Sequence, residues 1–196
     1  TVMITGDHRD TAFAIARELG IAKEESEVME GIELDNITTE EIKTACNKTN
    51  VFARVSPEHK VKIVQALKSA GHTVSMTGDG VNDAPSLKEA DIGVAMGITG
   101  TDVAKGASDM ILTDDNFASI VKAVEEGRNI YKNIKKSVIF LISCNLGEII
   151  ALFFAIAAGW PTPLRSIHIL WVNLVTDTFP ALALGVDPEE PGVMNE

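Results

Sequence analysis

The stretch MTGDGVNDAP, residues 76–85, overlaps the end of an apolar, strand-like run, TVSMT at 73–77. Gly78 and Gly80 allow the backbone to turn tightly and to approach an anion closely. The carboxyl end of a parallel strand is the place where open α/β sheets bind ligands. The stretch therefore predicts a ligand-binding loop at the edge of an α/β sheet.

Three side chains in this loop carry oxygen ligands: Asp79, Asn82 and Asp83. Two carboxylates four residues apart, with an amide between them, suit a hard cation such as Mg²⁺, which prefers oxygen ligands and substrate phosphate. The alternative is an Asx-rich turn without chemistry. A single Asp-Gly pair would favour that alternative, but the nine-residue run TGDGVNDAP is far more specific.

Short apolar runs alternate with helical patterns over residues 1–116. Ser56 and Pro57 are typical of a helix start, and Gly20 is typical of a helix end. Continuous apolar strands between helices indicate a doubly wound parallel sheet, covered on both faces; a mixed α+β domain is the alternative. In the weakly patterned region 24–50 we expect loop, short strand and helix. The predicted strands are TVMIT (1–5), VFARV (51–55), TVSMT (73–77), IGVAM (92–96) and DMILT (109–113).

A second loop of the same kind follows the first strand, in MITGD at 3–7. Thr5 can offer a hydroxyl and backbone N–H groups to a phosphate. Asp7 can bind Mg²⁺ or ribose, or it can simply cap the following helix. Lys60 falls in the first turns of the helix that begins at Pro57, where a cation opposes the helix dipole. An anionic partner would explain this lysine, and an ordinary surface position is the alternative.

The texture of the chain changes after Asn116. Residues 117–158 contain no proline and predict one helix of about 40 residues, about 60 Å long. Its second half, 137–158, holds a single charge and is long enough to cross a hydrocarbon core. The turn GWPTPLR at 159–165 follows, and then a second apolar segment at 166–186, again with one charge.

These patterns predict a membrane hairpin. The alternative is two buried helices of a large soluble core. The lengths of the two segments, near 20 residues, and the basic residues that flank them disfavour this alternative. Basic residues before the first span place that end in the cytoplasm; they are Arg128, Lys132, Lys135 and Lys136. The predicted segments are the α/β part at 1–116, a stalk helix at 117–136, a first span at 137–158, an extracytoplasmic turn at 159–165, a second span at 166–186 and a cytoplasmic connection at 187–196.

Each predicted span carries polar side chains on one helix face. Asn145 and Glu148 are three residues apart, and Asn173, Thr176 and Asp177 follow the same helical spacing. Pro180 cannot donate to the carbonyl of Thr176, which loosens the helix beside Asp177. Such oxygen ligands suit a cation of the Ca²⁺ type. Interhelical hydrogen bonding can explain Asn145 or Thr176, but it explains the two carboxylates poorly.

The formal net charge of −11 disfavours nucleic acid as a partner, because the phosphate backbone rewards clustered Lys and Arg. The two cysteines, Cys46 and Cys144, lie far apart and have no metal-ligand spacing. They do not indicate a disulfide framework.

Three stretches carry a resemblance to a known family: MITGD, ARVSPEHK (53–60) and TGDGVNDAPSLKEADIGVAMG. They resemble the phosphorylation domain of P-type cation-transporting ATPases, which has the haloacid-dehalogenase fold. CNLGEI and LWVNLVTD resemble the fifth and sixth membrane helices of calcium pumps of the sarcoplasmic-reticulum type. Sodium/potassium pumps typically have Pro before the glutamate and Asp where Asn173 stands, whereas this chain has Gly147 and Asn173.

The resemblance implies a site for phosphoryl transfer from ATP. It implies that Thr5 contacts the phosphoryl group, that Lys60 neutralises it, and that Asp79 holds Mg²⁺ with support from Asn82 and Asp83. Ca²⁺ is then the transported ion, with Asn145, Glu148, Asn173, Thr176 and Asp177 as its ligands. The full set of expected catalytic residues is Thr5, Gly6, Asp7, Lys60, Asp79, Asn82 and Asp83, of which Thr5, Gly6, Asp7, Lys60 and Asn82 also bind the nucleotide or its phosphate.

The phosphorylated aspartate of the family's DKTG motif does not occur in the 196 residues. We therefore expect a fragment of a multi-pass membrane protein, inactive alone, whose phosphorylation domain lies in the cytoplasm. Its expected partners are the lipid bilayer and the rest of the pump: the actuator domain, the nucleotide-binding domain and the other membrane helices. The alternatives are a pump for Mn²⁺, Na⁺ or H⁺ and, from a different class, a soluble haloacid-dehalogenase-type phosphatase.

Overall fold

Two compact units make up the protein, Thr1–Phe117 and Ala118–Glu196. The computed structural model describes residues 1–46, 48–188 and 191–195. The predicted cytoplasmic connection at 187–196 therefore lies partly outside the described residues. In chain order the elements of the first unit are β1 (Met3–Ile4), α1 (Arg9–Glu18), β2 (Val28–Glu30), α2 (Gly31–Asp35), α3 (Thr39–Ala45), β3 (Val51–Ala53), α4 (Pro57–Ser69), β4 (Ser75–Gly78), α5 (Ala84–Glu89), β5 (Ile92–Met96), α6 (Asp102–Ala107) and β6 (Met110–Leu112).

The first unit contains two parallel three-stranded sheets, ordered β1-β3-β2 and β4-β5-β6. Met3 pairs with Val51 in the first sheet, and Met76 pairs with Gly93 in the second. All five predicted strands are present: β5 has the predicted bounds, β1, β3 and β6 are shorter, and β4 begins later and ends one residue later than predicted. The strand β2 is the short strand expected, with loop and helix, in the region 24–50. The unit has the parallel α/β fold that the sequence predicts.

Helices cover both faces of the first sheet, because successive strand residues point to opposite sides. Val51 and Ala53 pack against Ala12 and Ala16 of α1. Phe52, between them in β3, packs with apolar residues of the helices on the other face, among them Leu34, Ile42, Ile63 and Ala66. All of these side chains are fully buried or nearly so. This alternation is the doubly wound arrangement that the continuous apolar strands predict.

The ends of the helices follow the signals in the sequence. Ser56 caps α4: its Oγ accepts a hydrogen bond from the N–H of His59, and Pro57 is the first helical residue. Gly20 and Gly71, which follow α1 and α4, both have positive φ angles, of 71° and 88°. Such a left-handed residue ends a helix at little cost only when it is glycine.

The second unit begins with one uninterrupted helix of 40 residues, α7 (Ala118–Ala157). The second predicted span is not one regular helix. It consists of α8 (Ser166–Trp171), a π-helical segment (Val172–Asp177) and α9 (Thr178–Gly185). The irregularity falls immediately before Pro180, whose missing N–H and crowding ring loosen the preceding turn.

Both helical segments of the second unit are long and apolar enough to cross a membrane. Their most apolar windows have mean hydropathies of 2.2 and 1.4, and only 6% of each window is buried within the protein. Large apolar side chains such as Phe153, Ile156 and Leu174 are about two-thirds exposed. Helices of this kind need an apolar surrounding to cover them.

Candidate functional site

The loop after β4 is organised around the carboxylate of Asp83. A short 3₁₀ turn, Val81–Asp83, lies between β4 and α5, and Asp83 is only 7% exposed. Its Oδ2 accepts hydrogen bonds from the N–H groups of Asp79 (3.4 Å) and Gly80 (3.2 Å). Asp83 therefore holds the loop in shape from inside.

Lys60 reaches the same carboxylate from the first turn of α4. Its Nζ lies 2.5 Å from Oδ1 of Asp83, and the two side chains are 19% and 10% exposed. Charged groups that leave water need a partner of opposite charge. Lys60 is thus part-buried beside this loop, and it is not an ordinary surface lysine.

Asp79 and Asn82 differ from Asp83 because both side chains are exposed. The backbone carbonyl of Asp79 is fixed by the N–H of Thr101, which donates to it at 2.8 Å. The loop thus presents one free carboxylate, that of Asp79, while the other carboxylate is committed to internal hydrogen bonds. A cation at this loop would meet Asp79 first.

Gly78 has a packing reason that the sequence did not reveal. A Cβ atom at this position would lie 2.5 Å from Cβ and 2.9 Å from Cγ of Asp83. The backbone of β4 can therefore approach the buried carboxylate only without a side chain at residue 78.

The loop after β1 is held by Thr5 and Asp7. Thr5 Oγ1 donates to Asp7 Oδ2 (2.9 Å) and accepts from the N–H of Asp7 (3.2 Å). The suggestion that Asp7 caps the following helix is wrong: the N-cap of α1 is His8, whose Nδ1 accepts from the N–H of Asp10 at 3.4 Å. Asp7, Gly6 and the Thr5 hydroxyl thus form a small exposed turn at the carboxyl end of β1.

A pair of side chains fixes the turn of α4 that carries Lys60. His59 Nδ1 accepts from the N–H of Ser56 (3.1 Å), and His59 Nε2 lies 2.7 Å from Asp35 Oδ1. The hydrogen bond to His59 lowers the pKa of Asp35 below its ordinary value. Because His59 is buried on this framework, the neighbouring Lys60 starts from a well-defined backbone position.

A groove of about 440 Å³ lies between the two sheets. On one side it is lined by Ile4 of β1 and the preceding Val2, and on the other by Ser75 and Met76 of β4 and the preceding Val74. Among the described residues, no strand pairs with the groove side of β1 or of β4. The two candidate loops, at Thr5 and at Asp79, thus follow the two strands that border this groove.

In the second unit two carboxylate oxygens are buried without a hydrogen-bond partner, Oε1 of Glu148 and Oδ2 of Asp177. Asp177 is 2% exposed and ends the π-helical segment. The thiol of Cys144, which no sequence pattern singles out, interacts with Asp177 and lies within electrostatic range of Glu148. An unpartnered buried carboxylate is costly and points to a missing positive partner.

The other predicted polar residues of the spans lie along the same helices. The Nδ2 groups of Asn145 and Asn173 donate to the carbonyls of Leu141 and Ile169, four residues earlier. These bonds use the donor side of each amide and not its Oδ1 acceptor. Thr176 lies in the π-helical segment beside Asp177.

No group of three or more His, Cys, Asp or Glu side chains in the described part of the chain could hold a metal by itself. Within the described residues, therefore, neither the loop at Asp79 nor the carboxylates of Glu148 and Asp177 form a complete metal site. Each offers hard oxygen ligands, which suit Mg²⁺ and Ca²⁺, but each would need further ligands from a phosphate or from other segments.

Comparison with known proteins agrees with this division. Residues 1–91 match the haloacid dehalogenase-like hydrolase family, and residues 161–196 match the C-terminus of cation-transporting ATPases. The chain is 74% identical to Calcium-transporting ATPase 1 of Bacillus cereus over all 196 residues, and 57% identical to the Calcium-transporting ATPase of Bacillus subtilis over 194 residues. It is also 53% identical to P-type sodium-transporting ATPase4 of Toxoplasma gondii, over 96% of the chain and 15% of that protein.

A solved structure of a zinc-transporting PIB-type ATPase superposes with a TM-score of 0.64 at 28% identity, covering 94% of this chain and 24% of that one. The chain spans 22% of the length of each Bacillus relative.

The fold and the family matches define the class: a haloacid dehalogenase-like α/β domain followed by two long apolar helical segments. Within that class, the chain belongs to the P-type cation-transporting ATPases, of which it represents one segment.

Proposed function

We propose that this chain is the segment of an ATP-driven calcium pump that links the phosphorylation site to the ion pathway. The observation that carries the proposal is the pair of buried, unpartnered carboxylate oxygens of Glu148 and Asp177 in helices otherwise suited to lipid. A divalent cation would offset both charges. Similarity to calcium-transporting ATPases favours Ca²⁺ among the divalent ions.

The proposed ion ligands within this chain are Asn145, Glu148, Asn173, Thr176 and Asp177. The π-helical segment supports this assignment, because a π turn leaves carbonyl groups out of the regular ladder beside Asp177. Because Ca²⁺ takes six to eight oxygen ligands, the remaining ones must come from other membrane helices of the complete protein.

In the first unit, we assign phosphoryl binding to Thr5, Gly6 and Lys60, with Asp7 and Asn82 at the rim of the site. Asp79 is the residue that would hold Mg²⁺, which supplies charge neutralisation to the phosphate when bound. Asp83 would not contact the phosphate itself but orients the Asp79–Gly80 backbone and the Lys60 ammonium group. Catalysis at such a site consists of positioning and charge stabilisation.

The groove between β1 and β4 is the proposed seat of the phosphorylated aspartate. The groove is lined by residues of β1 and β4, each an unpaired edge strand of its sheet among the described residues, and one more strand contributed by another part of the protein would fill it. Such a strand would end beside both candidate loops, because the carboxyl ends of parallel strands meet at one edge of a sheet. The actuator and nucleotide-binding domains and the other membrane helices complete the proposed pump.

We also propose that the protein crosses the membrane at 137–158 and 166–186, with the first unit in the cytoplasm. Clustered basic residues just before the first span support this orientation. In the second unit, Lys136 pairs with Asp187 at 2.8 Å, which associates the ends of the two apolar segments on this side.

The test is ATP-driven ion uptake by the full-length protein in sealed vesicles. We expect uptake of Ca²⁺ in preference to Mn²⁺, Na⁺ or H⁺, and Ca²⁺-dependent formation of an acid-stable phosphoenzyme. Glu148→Gln should raise the Ca²⁺ concentration needed for half-maximal phosphorylation. Glu126→Gln, on the exposed charged part of the same helix, should leave it unchanged. Unaltered Ca²⁺ dependence in Glu148→Gln would remove Glu148 from the site.

A soluble phosphatase is the second candidate from a different class. Its signature would be phosphatase activity in a detergent-free, monomeric preparation of the full-length protein. The exposed apolar surfaces of α7 and α9 disfavour that outcome.

A further inference from the structure

Asp115 accepts four hydrogen bonds from a loop that lies 16 to 18 residues earlier in the chain. Its Oδ1 accepts from the N–H groups of Gly97 (2.6 Å) and Ile98 (2.9 Å). Its Oδ2 accepts from the N–H (2.7 Å) and the hydroxyl (2.8 Å) of Thr99. We call this set of bonds the Asp115 clamp.

The backbone around the clamp is shaped to deliver this carboxylate. Asp115 has a φ of 50°, a left-handed conformation that residues with a Cβ usually avoid. A Cβ at Gly97 would lie 2.5 Å from the carbonyl oxygen of Leu112, so the loop approaches the end of β6 as closely as a glycine allows. The clamp thus joins the turn after β6 to the loop after β5.

The clamped loop, residues 97–101, also contacts the candidate catalytic loop. Thr101 donates its N–H to the carbonyl oxygen of Asp79 at 2.8 Å. The hydroxyl of Thr101 accepts from the N–H of Ala104, which fixes Thr101 as the N-cap of α6. The position of Asp79 therefore depends on a loop whose other end is held by Asp115.

On the other side, Asp115 lies three residues before Ala118, where the 40-residue helix α7 begins. The chain thus leaves the clamp and enters the helix that carries Asn145 and Glu148. A series of direct contacts connects Asp79 to the turn that leads into α7.

We infer that Asp115 is a positioning residue of the pump: its carboxylate holds loop 97–101, and through Thr101 the Asp79 backbone, to the turn that leads into the membrane helix. The inference rests on the proposed function of Asp79 as the Mg²⁺ ligand. Loss of the clamp should weaken Mg²⁺ binding at the phosphorylation site and should loosen the coupling of ATP hydrolysis to ion transport.

The test uses the full-length pump in sealed vesicles. Asp115→Asn keeps the size of the side chain but replaces one acceptor oxygen with a donor group that faces other donors. We expect the half-saturating Mg²⁺ concentration for ATP hydrolysis to rise about twofold to thirtyfold, the range by which residues between two coupled sites can change their coupling. We also expect the number of Ca²⁺ ions moved per ATP to fall.

The matched control is Asp109→Asn. Asp109 accepts a backbone hydrogen bond from Gly93 at 2.9 Å, at the opposite end of the same β5–β6 pair. A general loss of stability should affect both variants alike, whereas a positioning role should change the Mg²⁺ dependence and the transport ratio only in Asp115→Asn. Equal behaviour of the two variants, or wild-type behaviour of Asp115→Asn, would overturn the inference.

Thr99→Val decides the question if Asp115→Asn does not fold. It removes only the hydroxyl donor of the clamp and should shift the Mg²⁺ dependence in the same direction by a smaller factor; an unchanged Mg²⁺ dependence would overturn the inference. A wild-type protein that does not transport Ca²⁺ with ATP would refute the proposed function itself. A pumping wild type with an unaffected Asp115→Asn or Thr99→Val variant would refute only the role of Asp115.

Discussion

The ammonium group of Lys60 lies 2.5 Å from the carboxylate of Asp83, and both side chains are largely buried at the end of β4. Asp83 also accepts two backbone N–H groups of the Asp79–Gly80 turn. One carboxylate thus connects the lysine of α4 with the loop of the candidate magnesium ligand. The Lys60–Asp83 ion pair therefore stabilises the shape of the loop in addition to placing charge beside it.

Removal of the Lys60 charge alone should destabilise the first unit. Lys60→Met leaves a buried carboxylate without its cation, which we expect to cost about 2–3 kcal/mol. The double variant Lys60→Met/Asp83→Asn should recover much of this loss, because no unpaired charge remains. The measurement is thermal unfolding of the detergent-solubilised chain, with Lys62→Met, on the exposed side of α4, as the control. A Lys60→Met variant no less stable than Lys62→Met would contradict the structural role.

Gly78→Ala should be more harmful than an ordinary glycine substitution. The new Cβ would lie 2.5 Å from Cβ of Asp83, so the loop must shift, at an expected cost of about 1–3 kcal/mol. Gly106, within α6, has open space where a Cβ would go. Gly106→Ala should therefore raise stability by up to about 0.5–1 kcal/mol. The two unfolding midpoints should move in opposite directions, and a common shift would show that the loop adapts to the methyl group.

The Asp115 clamp should make part of the stability of the first unit dependent on pH. The hydrogen bond from Ile98, with those from Thr99 and Gly97, lowers the pKa of Asp115 from 3.8 to about 2. Because the folded state holds the ionised form, the stabilisation is complete above pH 3.8 and is lost as the pH falls toward about 2. The difference in unfolding midpoint between wild type and Asp115→Asn should therefore shrink over this range. A difference that stays constant would mean that ionisation of Asp115 does not matter.

Asp177→Asn should distinguish the effect of the buried carboxylate on stability from its proposed role in binding Ca²⁺. In Ca²⁺-free buffer the full-length variant should unfold at the same or a higher temperature than wild type, since a buried carboxylate with one unpartnered oxygen is replaced by a neutral amide. Stabilisation by added Ca²⁺, about 2.7 kcal/mol at one hundred times the dissociation constant, should be lost or reduced. Asp187→Asn, which alters an ion pair with Lys136, serves as the control and should retain the response to Ca²⁺. A full Ca²⁺ response in Asp177→Asn would exclude this residue as a ligand.

The continuity of α7 should be needed for coupling. Proline at Ile130, an exposed position beside Asn129, removes a helical hydrogen bond and kinks the helix, at about 3 kcal/mol or more. In the full-length pump we expect ATP hydrolysis to persist while Ca²⁺ transport per ATP falls. Ile130→Ala keeps the helix intact and should transport normally. Normal transport per ATP in the proline variant would show that an uninterrupted α7 is not needed for coupling.

Features with a local physical cause were predictable from the sequence. The run at 92–96 forms β5 with the predicted bounds, because five consecutive residues suited to a buried strand lie between Asp91 and Gly97. Ser56 and Pro57 start α4 where capping chemistry requires. The proline-free stretch after Asn116 forms a single helix, α7. In the second apolar segment, Pro180 follows the π-helical irregularity at Val172–Asp177.

Features that depend on distant partners were not. A short strand was expected within residues 24–50, but its position at Val28–Glu30 has little local pattern and follows from pairing with β3, 23 residues later. Asp7 was a plausible helix cap until the backbone placed His8 in that position. Cys144 is distinguished only by its neighbour Asp177 on the second apolar segment, and Asp115 only by the loop that donates hydrogen bonds to it.

The order of residues along the chain is enough to specify the parts of this protein: parallel strands ending in Thr-Gly-Asp loops, a long helix, and two apolar segments that carry carboxylates. Periodicity, capping and charge act over a few residues and can be read directly from the chain. How the carboxylates are used depends on the packing of the whole fold. Asp83 became an internal anchor while Asp79 stayed exposed, because Lys60, 23 residues before Asp83, approaches one of them and not the other. Such choices depend on which groups lose water together, and that is settled only when distant segments pack.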